Sequence, residues 1–292
     1  MNLTTEYKQQ VRTALLERRP NFGGTDAQFA KIYGLSSAIF SRLKSGETDK
    51  IISDSHWLQM GREFEINSRK SNWEVVRTKV YDEIEDSILF NQQKSTSTLL
   101  VDDCGIGKSF CAKHIAKSLS NAFYIDCSQA KSKQQFIKLF AKTLGIDNRG
   151  KYADLIANVK YYLNQLDHPV VILDEAGDLE YTAFLELKGL WNATDGYCGW
   201  LMMGANGLKA KITKGIDKEK VGYEEIFSRF SDEYIKLTPN GTLHKEAFRR
   251  ELLTQVARAN HKGDKPVEQL VMQCMAKETT LRHLDTLIKI SA

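Results

Sequence analysis

At 292 residues the chain is long enough for one large domain or two modest ones. A hydrophobic content of 42% supports a packed core, and 27% charged residues exclude an intrinsically disordered chain. The 41 basic and 37 acidic residues leave a net charge of +4, compatible with a polyanionic partner but too small to require one.

The N-terminus, MNLTTEYKQQ, lacks the apolar core of a signal peptide. No run approaches the ~20 apolar residues that cross a bilayer. A cytoplasmic protein with no membrane partner is expected. Residues 1–68 read as short helices without a strand signal, and a helix-turn-helix DNA-binding domain is the expectation for them. Its core is Phe29–Leu43, FAKIYGLSSAIFSRL. Ala30 falls where two helices cross, Gly34 at the turn, and Phe29, Tyr33, Leu35, Phe40 and Leu43 at buried positions. Thr25 or Asp26 caps the first helix and Ser36 the second. Ser37, Ser41, Arg42, Lys44 and Ser45 then face DNA, a set suited to phosphates. With no Asn or Gln and a single Arg, that face is poorly equipped to read bases. The alternative is a small helical domain that packs on protein.

Residues 69–97 read as a linker. Trp73, Val76, Val80 and Ile84 recur at helical spacing, followed by a polar loop at Asn91–Thr96. A plain helix packed on the sheet is the equal alternative. Across residues 98–240 strands alternate with helices, the pattern of a parallel sheet covered by helices. The expected strands are Leu99–Asp102, Ala122–Asp126, Val170–Asp174, Trp200–Gly204 and Glu233–Leu237. Helices are expected at Lys108–Ser118, Lys133–Leu144, Lys151–Leu166 and Tyr181–Trp191. Beyond Pro239, residues 241–292 carry three amphipathic stretches, Leu243–Ala259, Pro266–Ala276 and Thr279–Ile290. Five scattered cysteines (Cys104, Cys111, Cys127, Cys198 and Cys274) form no C-x-x-C pair, so reduced thiols are expected.

Asp102–Ser109, DDCGIGKS, follows an apolar strand and opens a helix, the context of a Walker A phosphate loop. The backbone from Asp103 through Cys104, Gly105, Ile106 and Gly107 to Lys108, Ser109 and Phe110 is expected to hold a nucleotide. Gly105 and Gly107 let successive N–H groups turn toward phosphate oxygens. The following helix presents its positive end to the same anion. Lys108 reaches the β- and γ-phosphates, and the Ser109 hydroxyl ligates Mg²⁺. Asp102 stands where the usual pattern has its first glycine, and a carboxylate there weakens nucleotide binding unless it points away. Val170–Glu175, VVILDE, reads as a buried strand ending in two acids: Asp174 for Mg²⁺ and Glu175 to polarise the attacking water.

Taken with the helical C-terminus, these motifs resemble those of AAA+ ATPases. The resemblance implies a five-stranded parallel sheet of order 5-1-4-3-2 with a helical lid. It implies three further roles. Asn206, after the strand WLMMGA, takes the place of sensor 1. Arg229 in FSRF takes that of the arginine finger, reaching a neighbouring subunit's nucleotide. Arg282, opening the last helix, takes that of sensor 2. Arg249 and Arg250 read as solvated helix positions. A lysine-rich loop, Lys209–Lys220, and a pair, Lys131 and Lys133, are candidate DNA contacts because such loops can line a channel in ring-forming AAA+ proteins; Lys209, Lys211, Lys131 and Lys133 lead that set. As plain solvated lysines they are equally well explained.

The whole order is similar to that of AAA+ transposition regulators of the phage Mu B (MuB) kind, to which TnsC and IstB are related. That likeness implies an ATPase using ATP and Mg²⁺, forming a homo-oligomeric filament or ring on double-stranded DNA and partnering a DDE-type transposase. Hydrolysis is expected to be slow and stimulated by DNA or transposase. Two alternatives stay open: a helicase loader or replication initiator, and a nucleotide-gated DNA-binding regulator that does not hydrolyse ATP.

Overall fold

The computed structural model describes residues 3–20, 22, 24–64, 66 and 73–291. The expected linker residues 69–72 lie outside that set. The chain divides into two units, Met1–Asn72 with Ala141–Lys151, and Trp73–Phe140 with Tyr152–Ala292.

The first unit holds α1 (Thr5–Arg18), α2 (Asp26–Ile32), α3 (Ser37–Lys44) and α4 (Asp54–Glu63). Each is started by a hydroxyl whose oxygen accepts an orphan backbone N–H: Thr4, Thr25, Ser36 and Ser53. Thr25 completes a capping box with Gln28. Between α2 and α3 the chain reverses at Gly34, whose φ of +70° suits glycine. Phe29, Ala30, Leu35, Phe40 and Leu43 are buried with Trp57 and Met60 of α4. Tyr33 is only partly buried, edge-on to Phe29 and Phe64 at 5.1 and 5.3 Å.

The second unit begins with α5 (Lys79–Lys94) and continues β1 (Ser97–Val101), α6 (Lys108–Ser118), β2 (Ala122–Asp126), α7 (Lys133–Leu144, from Ala141 on part of the first unit), α8 (Tyr152–Leu163), β3 (Val170–Asp174), α9 (Tyr181–Ala193) and β4 (Gly199–Gly204). Then come α10 (Asn206–Asp217), α11 (Tyr223–Arg229), α12 (Thr242–Asn260), α13 (Val267–Ala276) and α14 (Leu281–Ser291). All strands pair in parallel in the order β1-β4-β3-β2, with every residue of β3 and β4 buried.

Three expectations need correction. Among the described residues the sheet has four strands, and the expected fifth, Glu233–Leu237, is reduced to one bridge between Leu100 and Ile235. Ile235 exchanges two ladder bonds with β1, donating to the Leu99 carbonyl at 2.8 Å and accepting from Val101 N at 3.0 Å. Ahead of it, Ser231 and Asp232 take positive φ and break extended chain. After it, the N–H groups of Leu237 and Thr238 bond to the Asp102 side chain instead of to β1. The polar loop expected at Asn91–Thr96 is mostly helix, since α5 runs to Lys94 and ends at Ser95 with φ +50°. Asn91 is buried and donates to Thr98 Oγ1 and to the Trp200 carbonyl, fastening α5 to the sheet. A Cβ on Gly199 would fall 2.2 Å from the Asn91 carbonyl oxygen, so only glycine admits that approach. The lysine-rich loop at Lys209–Lys220 is largely α10, which buries Leu208, Ile212 and Gly215. Among the described residues no helix is long and apolar enough to cross a membrane.

Candidate nucleotide site

The segment joining β1 to α6 curls through Gly105 and Gly107, at φ +75° and +102°. Lys108 is the first residue of α6 and is buried. Its Nζ donates to the carbonyl oxygens of Asp102, at 2.9 Å, and Asp103, at 2.7 Å, which folds the ammonium back into its own loop. Burial pulls its pKa below the ordinary lysine value, opposed chiefly by the charge of Asp102 and, further down, by Asp174 and Glu175. A buried cation whose hydrogen bonds go to its own loop's carbonyls is suited to receiving an anion. Ser109 and Phe110 follow it, both exposed, and Cys104 is the exposed thiol among five free ones.

Asp102 is 1% exposed and its carboxylate is fully engaged. Oδ1 accepts from Asp103 N at 2.7 Å, while Oδ2 accepts from Leu237 N and Thr238 N at 2.6 and 2.7 Å. It is not among the residues that line the cavity beside the loop. The expected conflict between this carboxylate and a triphosphate therefore has a local resolution, because the side chain turns toward the segment leading to Pro239.

Asp174 ends β3, 2% exposed. The Tyr124 hydroxyl on β2 donates to its Oδ2 at 2.6 Å, and Oδ1 accepts from Glu175 N at 2.9 Å. Glu175 is exposed and holds a left-handed φ of +49°, a strained backbone of the sort kept at functional sites. Partial burial raises its pKa, and Asp174 and Asp178 raise it further while Lys108 opposes them. Asn206 opens α10 directly beyond β4 and is exposed.

The remaining expected residues are placed as follows. Arg229, at the end of α11, donates from Nε to Asn192 Oδ1 at 2.7 Å and from an Nη to the Glu225 carbonyl at 2.8 Å, with its guanidinium 5.3 Å from the Trp191 ring. Arg282 lies exposed on the first turn of α14. Lys211 is turned inward, its ammonium donating to the carbonyls of Gly177 and Leu179, and so is not presented as a free surface cation. Lys209 rests over the Tyr234 ring at 5.0 Å and Lys133 over Tyr152 at 5.0 Å, while Lys131 pairs with Asp178 at 3.4 Å. In the first unit Ser37, Ser41, Arg42, Lys44 and Ser45 are all exposed on or just after α3. Both cations are partnered: Arg42 with Glu47 at 2.7 Å and Lys44 with Asp26 at 2.9 Å.

Beside the phosphate loop a cavity opens, lined by Asp103–Ile106, by Thr238, by Lys245, Phe248 and Arg249 of α12, and by Thr279–Leu281. Lys245 pairs with Asp103 at 2.5 Å, and Leu281 N donates to the Gly105 carbonyl at 3.1 Å. A Cβ on Gly105 would lie 2.4 Å from Thr280 Cβ, so the α13–α14 connection needs glycine beneath it. Sequence reasoning missed Tyr124, Thr238 and Lys245, and took Arg249 for a solvated position whereas it is partly buried on the cavity wall. A lysine in the first turn of a helix carries no sequence signal that it faces a loop some 140 positions earlier (245 minus 103).

Residues 91–212 match the family model of an AAA domain. The match, which spans less than half of the chain, makes that stretch similar to the AAA domains of P-loop ATPases. The matched stretch contains the phosphate loop, the β3 acids and Asn206 but ends before Arg229, Thr238 and Arg282. No curated protein matches the chain.

Proposed function

We propose that the chain is an AAA+ ATPase that assembles as a homo-oligomer on double-stranded DNA and delivers that DNA as a target to a DDE-type transposase, in the manner of MuB-like regulators. The observation that carries the nucleotide half is Lys108: a buried ammonium bonded to its own loop's carbonyls, near the Asp174–Glu175 pair. The γ-phosphate would take over the ammonium's hydrogen bonds. Glu175 would accept a proton from water as that water attacks the γ-phosphorus, and the bond to the β–γ bridging oxygen breaks to release ADP. Asn206 would orient the same water. Ser109 and Asp174 are the residues that would hold Mg²⁺, whose contribution is to neutralise charge on the phosphates. Their donor set fits a hard cation: one hydroxyl and one buried carboxylate already aimed by Tyr124.

In the homo-oligomer Arg229, on the end of α11, would reach a neighbouring subunit's phosphate, and Arg282 would serve the lid. The DNA half is supported by the α2–α3 pair, whose exposed side chains include the hydroxyls of Ser37 and Ser41 and the cations Arg42 and Lys44. Lys131, Lys133 and Lys209 would add backbone contacts. The engaged carboxylate of Asp102 disfavours a non-hydrolysing regulator, since the feature that motivated that reading lies off the cavity.

The test is phosphate release from ATP with and without duplex DNA, using the wild type and Lys108→Ala. The proposal expects slow release accelerated by DNA and abolished in the variant. Release that is absent in both, or indifferent to DNA, contradicts it.

A further inference from the structure

The geometry points to Thr238 as the residue that reads the nucleotide base, held in place by Asp102. This rests on the reading of the Asp102–Ser109 loop as a nucleoside triphosphate site. Ile106, Phe248, Leu252 and Leu281 supply apolar walls to the cavity beside that loop, of the kind a base packs against. At its edge sits Thr238, 4% exposed, and its hydroxyl has no hydrogen-bond partner among the described residues. A buried hydroxyl without a partner is unfavourable on its own, so one that lines a cavity is accounted for by a ligand group.

The neighbouring backbone sharpens the assignment. A base edge is commonly read by main-chain N–H groups, yet along Leu237–Pro239 none is left. Leu237 N and Thr238 N both bond to Asp102 Oδ2, and Pro239 has no N–H at all. The Thr238 hydroxyl is therefore the hydrogen-bond donor that this strip retains, and it accepts as well. Adenine presents both complements on one edge, a 6-amino donor beside the N1 acceptor. The departure from glycine at position 102 thus has a consequence at the base: the carboxylate consumes the backbone donors and hands recognition to one side chain.

The experiment measures binding of ATP, of purine riboside triphosphate, which lacks the 6-amino group, and of inorganic tripolyphosphate. The proteins are the wild type, Thr238→Val, Thr238→Ser and Lys108→Ala, with folding checked by circular dichroism. The expected result is that the wild type prefers ATP over the purine analogue by about tenfold. Thr238→Val loses that preference but keeps its tripolyphosphate affinity, and Thr238→Ser keeps both. An undiminished preference in Thr238→Val, with ATP still bound, overturns the role of Thr238 and leaves the nucleotide site standing. Should Thr238→Val not fold, loss of the preference in Thr238→Ser would overturn it equally. Wild type that binds neither ATP nor tripolyphosphate, or binds them as Lys108→Ala does, overturns the nucleotide reading itself.

Discussion

The Asp102 carboxylate accepts the backbone N–H of Thr238 at 2.7 Å, spanning 136 positions of sequence to join the phosphate loop to the segment that enters the lid helices. The same oxygen takes the N–H of Leu237. Both bonds are buried and charge-assisted, and removing the acceptor strands two main-chain donors away from water. Asp102→Ala is therefore expected to lower unfolding stability by roughly 2–5 kcal/mol, read from urea denaturation. Asp102→Gly, which restores the usual loop residue, is expected to be as destabilising. A loss under ~0.5 kcal/mol would show that the clamp contributes nothing.

Glu175 acts as a base only when ionised. Its pKa is raised, first by burial and then by Asp174 and Asp178. As pH falls through that raised value the carboxylate takes a proton and hydrolysis stops, so the acid limb of kcat/KM is expected above the ordinary glutamate value. Glu175→Gln is expected to bind ATP normally and to hydrolyse it on the order of 10²–10⁴ times more slowly, without the limb. An acid limb at or below the usual carboxylate pKa, or one that survives the substitution, contradicts the assignment.

Arg229 is held on its own subunit by Asn192 and Trp191. For a residue acting in a neighbour's site, Arg229→Ala should leave ATP affinity within about twofold while DNA-stimulated hydrolysis falls roughly 10³-fold. Mixing Arg229→Ala with Glu175→Gln is the stricter check. Mixed oligomers pair a sound Arg229 with a sound Glu175 at some interfaces and recover activity, whereas residues acting within one subunit give no recovery.

Arg42 is tied to Glu47 and Lys44 to Asp26 in exposed pairs that contribute little to stability. Breaking the first pair from its acidic side should favour DNA: Glu47→Gln is expected to tighten duplex binding, and Arg42→Ala to weaken it and reduce the salt slope by about 1. Fluorescence anisotropy across a salt series reads both. Equal affinity and slope in all three proteins would remove α3 from the DNA surface.

Much of the α/β unit was legible because its signals are local. VVILD is a buried run bounded by turn residues, and β3 begins and ends where that run does. The same holds for Ala122–Asp126 and for the helices after Lys108 and Lys133. Hydroxyl caps at Thr25 and Ser36 were equally readable. The fifth strand misled because Tyr234, Ile235 and Leu237 are strand-forming residues, while the side chain that takes the N–H groups of Leu237 and Thr238 lies far away in sequence. The lysines of Lys209–Lys220 masked the apolar spacing of Leu208, Ile212 and Gly215, which is helical. Chemistry at the site divides in the same way. The loop and the acids are contiguous motifs, whereas Tyr124, Thr238 and Lys245 acquire meaning only through partners on other elements.

ATP binding at Lys108 is expected to gate assembly on DNA. Electron microscopy of the protein with duplex DNA, in ATP, in ADP and as Lys108→Ala, tests it most directly. Filaments or rings along the DNA are expected in ATP alone, lost in ADP and in the variant. DNA bound equally in all three conditions, with no higher assembly, would contradict it.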